Sequence, residues 1–219
     1  MGVTVVLPGR RSERAFNVLE LMLILAILLV FVALLLPFIV PRKHPPRSMG
    51  CMQNLKQVSL AFQLWANDNG NVFPMQTFTN APGEPKFANA SECFRYFQIL
   101  SNELSTPKVL ICPPDARRSA TNFNSDFDNS RISYFIGMDA TASNPHSLLT
   151  GDNHLTNATP LANGVMLFPS NRPAWWPQGR HNDRGNVALS DGSVELISAK
   201  QITARLTASG RATNRVLFP

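Results

Sequence analysis

Charge is scarce in this chain. Only 16% of its 219 residues are Asp, Glu, Lys or Arg, against about 25% in an ordinary soluble domain. Three cysteines are too few for a disulfide-dense mini-protein. No zinc-protease helix, no G-x-S-x-G elbow and no Gly-rich phosphate loop occurs, so the common hydrolase and nucleotide-binding signatures are missing. There is no C-x-x-C pair, no H-x-x-x-H pair and no EF-hand spacing. Internal repeats and long low-complexity tracts are also absent, and the composition excludes a disordered acidic chain, a collagen and a coiled-coil rod. No enzymatic activity is expected. The length suits one domain with an appendage.

The apolar residues are concentrated at one end. Leu21 to Val40 is a run of 20 residues with no polar side chain, broken only by Pro37 near its end. As a helix it spans about 30 Å, the thickness of a bilayer's hydrocarbon core. Arg10, Arg11 and Arg14 precede it, and Arg42, Lys43 and Arg47 follow it. With equal flanks, the positive-inside rule sets no orientation. The run is longer than the apolar part of a cleaved signal peptide, and no A-x-A-like site follows it. A plain signal anchor is the simpler reading. Glu20 does not suit it, because a carboxylate against a membrane span needs a partner or a role.

The stretch Ala15-Phe16-Asn17-Val18-Leu19-Glu20 and the apolar run after it resemble a type IV prepilin signal. The resemblance implies a basic leader over residues 1–15, cleavage between Ala15 and Phe16, and methylation of the new N-terminus. It also implies that Glu20 pairs with a neighbouring subunit's N-terminal amine during assembly, which gives a buried carboxylate its positive partner. Ala15 stands where the family usually has Gly, and Asn17 where it usually has Thr or Ser.

Beyond residues 16–40, Pro41, Pro45 and Pro46 predict a non-helical link over about 41–49, because proline removes a donor and clashes inside a helix. From about Met52, Leu55, Val58, Phe62 and Trp65 recur at spacings of three and four, the pattern of an amphipathic helix. It ends at Asn67-Asp68-Asn69-Gly70-Asn71. A short helix is expected within Ala90–Leu104, and strands over Lys108–Cys112, Ile132–Met138 and Gly164–Phe168. Asp191-Gly192 lies between Asn186–Ser190 and Ser193–Ser198, which reads as a two-residue type I′ hairpin. That register sets Ala188 opposite Glu195 and Val187 opposite Leu196. It puts Val187, Leu189, Val194 and Leu196 on one face, against the helix stripe. The fold class expected is α+β: a transmembrane helix, then an amphipathic helix packed on an antiparallel sheet.

His181, nine further residues, then Asp191-Gly192 resembles the H-X9-DG signature of a group of bacterial prepilin-like proteins. Cys51-Met52-Gln53-Asn54-Leu55-Lys56-Gln57, Cys112-Pro113-Pro114-Asp115 and Ile132-Ser133-Tyr134-Phe135-Ile136-Gly137 resemble the same group. The resemblance implies a pilin-like fold with a periplasmic domain over 51–219; the proline-rich link at 41–50 departs from it, since related pilins usually continue one unbroken helix there. It implies a pseudopilin or minor pilin of a type II secretion or type IV pilus system, with a single pass in the inner membrane. Its partners would be a prepilin peptidase and other pilin-like subunits.

His181, Asp191 and Gly192 are also explained by packing and turn chemistry. The resemblance raises calcium, since related pseudopilins can hold it in a C-terminal loop; Asn182, Asp183 and Asp191 are the available oxygen donors, and His is a poor calcium ligand. Zinc at His181 would call on His154, Asp152 or Asp183. No cofactor and no metal ligand is assigned. Cys51 and Cys112 fall in two of the family-like motifs and are the favoured disulfide, the alternative being three thiols. The net charge is +6, of which the leader carries +2, leaving +4. Lys200, Arg205, Arg211 and Arg215 are spread along the C-terminal region and read as a solvated basic tail, so nucleic acid is not an expected partner. Trp175-Trp176 reads as a packed corner. It would be the contact surface in the alternative reading, a signal-anchored periplasmic domain that binds a ligand such as polysaccharide and does not polymerise.

Overall fold

The computed structural model describes residues 17–39, 47–81, 84–87, 89–159, 162–177 and 181–219. The chain divides into two units, residues 1–44 and 45–219. In the first, helix α1 spans Val18–Ile39. Its window Val18–Leu35 is long and apolar enough to cross a membrane, with a mean hydropathy of 3.2. Asn17 starts it: the Leu19 N–H donates to Asn17 Oδ1 at 3.4 Å, as an N-cap residue allows. Glu20 sits in the first turn, where the helix dipole favours a negative charge. Ala15 and Phe16 lie outside the described residues, as do Pro41, Pro45 and Pro46.

The second unit is α+β. It contains α2 (Arg47–Asp68), α3 (Pro74–Thr77), the small strands β1 (Thr79–Ala81) and β2 (Glu84–Pro85), α4 (Cys93–Ile99) and α5 (Ser101–Leu104). Then come β3 (Tyr134–Gly137), β4 (Leu148–Asp152), β5 (Val165–Pro169), β6 (Arg184–Leu189), β7 (Val194–Ser198), α6 (Ala199–Ala208) and β8 (Thr213–Leu217). Six strands form one antiparallel sheet in the order β5-β8-β3-β4-β6-β7.

The sheet packs against a core on each face, most fully at its inner strands. On one, Cys51, Leu55, Val58, Phe62 and Trp65 of α2 pack with Tyr134, Ile136 and Leu217, and the short helices α4 and α5 add Tyr96, Phe97 and Leu104 to this core. On the other, Ile202 and Leu206 of α6 pack with Phe135, Phe168, Val187, Leu189 and Val216, together with Trp176. Lys56 and Gln57 point to solvent, which completes the amphipathic pattern of α2.

Four expectations are corrected. First, helix is present from Arg47, not from Met52. The extra turn has something to lean on: Gly50 lies against Pro113, and Cys51 is bonded to Cys112. Second, the hairpin has a three-residue loop, Ser190-Asp191-Gly192. Leu189 N–H donates to Ser193 O, Val187 pairs with Glu195 and Ala188 with Val194. Only Gly192 takes positive φ, at 85°, whereas a type I′ turn needs it at two positions. A one-residue slip reverses faces. Val187 and Leu189 therefore pack towards α6, while Val194 packs in the α2 core.

Third, Pro107–Leu110 is a 3-10 turn rather than a strand; Thr106 Oγ1 accepts from Lys108 N–H, and Pro107 suits a helix start. Fourth, the basic C-terminal region is no solvated tail. It contains α6 and the inner strand β8. Arg205 forms two bonds to Glu195 at 2.6 and 3.1 Å, and Arg215 Nη2 lies 2.7 Å from Asp139 Oδ1.

Candidate functional site

Three of the motifs singled out in the sequence meet at the N-terminal end of α2. Cys51 and Cys112 are joined as a disulfide. Asn54, one turn on, donates its side-chain amide to Ile111 O at 2.8 Å. The prolines after Cys112 make a turn that returns Asp115 N–H to Cys112 O at 2.8 Å. The Asp115 carboxylate accepts from the Ser133 hydroxyl at 2.6 Å, and Ser133 N–H donates to Leu110 O at 2.8 Å. This ties the turn to the segment entering β3.

His181 arrives from the other side, just before β6. Its Nε2 lies 3.4 Å from Cys112 Sγ and 3.4 Å from Asp152 Oδ2. Asp152 ends β4, opposite Tyr134 of β3, and so faces α2. Its Oδ2 accepts from Asn186 N–H at 2.7 Å and from the Asn186 amide at 2.9 Å. The His181 and Asp152 side chains are each only 3% exposed. Burying a carboxylate is costly unless it is hydrogen-bonded and paired; here two donors and an imidazole surround it. Cys51, Cys112, Asp152 and His181 bring their ligand-type atoms within 4.8 Å of one another. They come from four separate chain segments. Of the partners weighed for His181 in the sequence, the structure supplies Asp152; His154 lines a separate cleft of about 290 Å³ with Arg117, Leu155 and Phe218.

The other half of the H-X9-DG motif lies elsewhere. Asp191 and Gly192 sit beyond the far end of β6, where Gln63 of α2 donates to Ser190 O at 3.2 Å. Gly192 is needed for φ and for room: an added Cβ would meet the Gln63 amide at 2.7 Å. The Asp191 carboxylate accepts from Ser193 N–H at 2.9 Å and from its hydroxyl at 2.6 Å. Partial burial pushes this carboxyl up, but the Ser193 donors outweigh it and hold it below its ordinary value. Asp191 also borders a cleft of about 290 Å³ with Gln63, Asn67 and Asn71. Asn182 and Asp183 stay at the opposite end of β6, a six-residue strand of about 20 Å. The structure does not bring them to Asp191 as one oxygen cluster.

Trp176 is buried, and its indole N–H donates to Asp152 O at 3.4 Å, on the reverse of the Asp152 strand. Trp175 is half-buried. Cys93 is the remaining thiol, fully buried; burial pushes it well above the ordinary thiol range, against the opposing pull of Arg117. Sequence reasoning missed Asp139, which pairs with Arg215, as well as the meeting of His181 with the cysteines.

Comparison with protein-family models, curated proteins and solved structures finds no match for this chain.

Proposed function

We propose that the protein is a membrane-anchored, pilin-like structural subunit. In this reading a prepilin peptidase removes residues 1–15, α1 holds the subunit in the inner membrane, and the α+β unit lies in the periplasm. The subunit is a pseudopilin or minor pilin of a type II secretion or type IV pilus-like system. The supporting observation is Glu20. A 22-residue apolar helix carries one carboxylate, and that carboxylate is in its first turn. The helix dipole accounts for a small part of that placement, whereas a subunit interface can match the charge with a neighbour's α-amine.

The test is capture of tagged subunits with untagged pilin-like partners from membranes that hold both. Glu20→Gln removes the charge and keeps the shape. It is expected to abolish capture while leaving membrane insertion intact. Capture equal to that of the unaltered chain would defeat the assembly role.

A further inference from the structure

The pairing of His181 with a disulfide and a buried carboxylate goes beyond an assembly role. We propose that Cys51, Cys112, Asp152 and His181 form a zinc site that exists only when the disulfide is reduced. Four ligands of the kinds zinc uses converge from separate segments, with their ligating atoms within 4.8 Å. Zinc binds thiolate at about 2.3 Å and imidazole or carboxylate at about 2.0–2.2 Å, so tetrahedral ligand atoms lie about 3.3–3.8 Å apart. His181 Nε2 already stands 3.4 Å from both Cys112 Sγ and Asp152 Oδ2. One nitrogen faces both neighbours, as a ligand directed at a shared ion must. Both Asn186 donors reach Asp152 Oδ2, the oxygen beside His181, and fix the orientation of the carboxylate, as hydrogen bonds to ligating carboxylates do in zinc sites.

The disulfide is the lock. While the sulfurs are bonded to each other they offer no thiolate, and Asp152 with His181 alone makes too small a ligand set. A dithiol reductant gives two electrons and two protons to the Cys51–Cys112 bond and leaves as its own disulfide. The zinc ion then displaces the two thiol protons, which pass to solvent. The cysteine Cα atoms are 4.8 Å apart, and the sulfurs would separate to the spacing of zinc ligands by rotation about their Cα–Cβ bonds. The closed, buried set of four makes this a structural site without an open position for catalysis. Its consequence is a folded body in either redox state: cross-linked when oxidised, metal-clipped when reduced. This inference does not depend on the pilin-like reading.

The experiment uses the full chain in detergent micelles and cobalt(II) as the probe. The reduced protein, freed of reductant without air, is expected to bind one cobalt per chain. It should show a thiolate-to-cobalt charge-transfer band and the visible bands of a tetrahedral ion. The oxidised protein should show neither. Zinc should displace the cobalt and bleach both. His181→Ala and Asp152→Asn should each weaken binding by more than about tenfold, since even outer-shell losses cost about 10–100-fold. Cys93→Ser should leave the spectrum unchanged. No charge-transfer band in the reduced protein would overturn the proposal. So would a spectrum that survives both His181→Ala and Asp152→Asn, or one lost in Cys93→Ser. Circular dichroism of each reduced variant separates loss of a ligand from loss of fold.

Discussion

Removing the Cys51–Cys112 bond should cost about 4 kcal/mol in metal-free protein. The two residues are 61 apart in sequence. Chain-entropy reasoning gives a denatured-state penalty of about 14 cal/mol/K for a loop of that size, or about 4.3 kcal/mol at 25 °C. The unit that feels it runs from residue 45 to 219. At about 2.1 cal/mol/K per residue its unfolding entropy is about 0.37 kcal/mol/K, so the midpoint should fall by about 12 °C. The variant is Cys51→Ala with Cys112→Ala. The assay is denaturant unfolding of the full chain in micelles with a chelator present, followed by tryptophan fluorescence. Trp65 and Trp176 are both buried in this unit, so their emission reports on it. The unaltered chain treated with reductant should lose the same stability. A loss below about 1 kcal/mol in both would refute the reasoning, because the disulfide would then constrain little of the denatured chain.

Two further outcomes are expected. Cys93 should resist alkylation in the native oxidised protein and accept one label on unfolding, since burial keeps its thiol from ionising; prompt labelling of the native chain would show that the α4 core opens readily. Gly185→Ala should destabilise by about 1–3 kcal/mol, as overpacking does, because the new methyl would overlap the Trp176 indole; an unchanged denaturation midpoint would contradict that contact.

What is legible in the sequence follows from local patterns. The apolar run needs only its length and the 55/58/62/65 stripe only its periodicity; both are helices, and the stripe of α2 faces the core. The hairpin is legible as a turn but not in register. Asp191-Gly192 fits a two-residue or a three-residue loop, and only the hydrogen bond from Leu189 to Ser193 decides between them. That one residue changes which core receives Val187. Helix α6 does carry local signs: Ser198 with Gln201 makes a capping box, and Gly210 follows the helix at φ 73°. Strand β8 is hidden by its charge. Arg215 sits on a strand in the sheet because Asp139, 76 residues away, matches it. The cysteine–histidine–aspartate cluster is beyond local reading for the same reason. Its members run from Cys51 to His181, and only the sheet topology brings them together.

Processing and assembly as a prepilin are tested most directly by the intact mass and N-terminal sequence of the protein made together with a prepilin peptidase. The expected product is a chain beginning at Phe16 and one methyl group heavier than its sequence. A chain still beginning at Met1 would leave Glu20 without the amine proposed to match it, and would contradict the pilin-like reading.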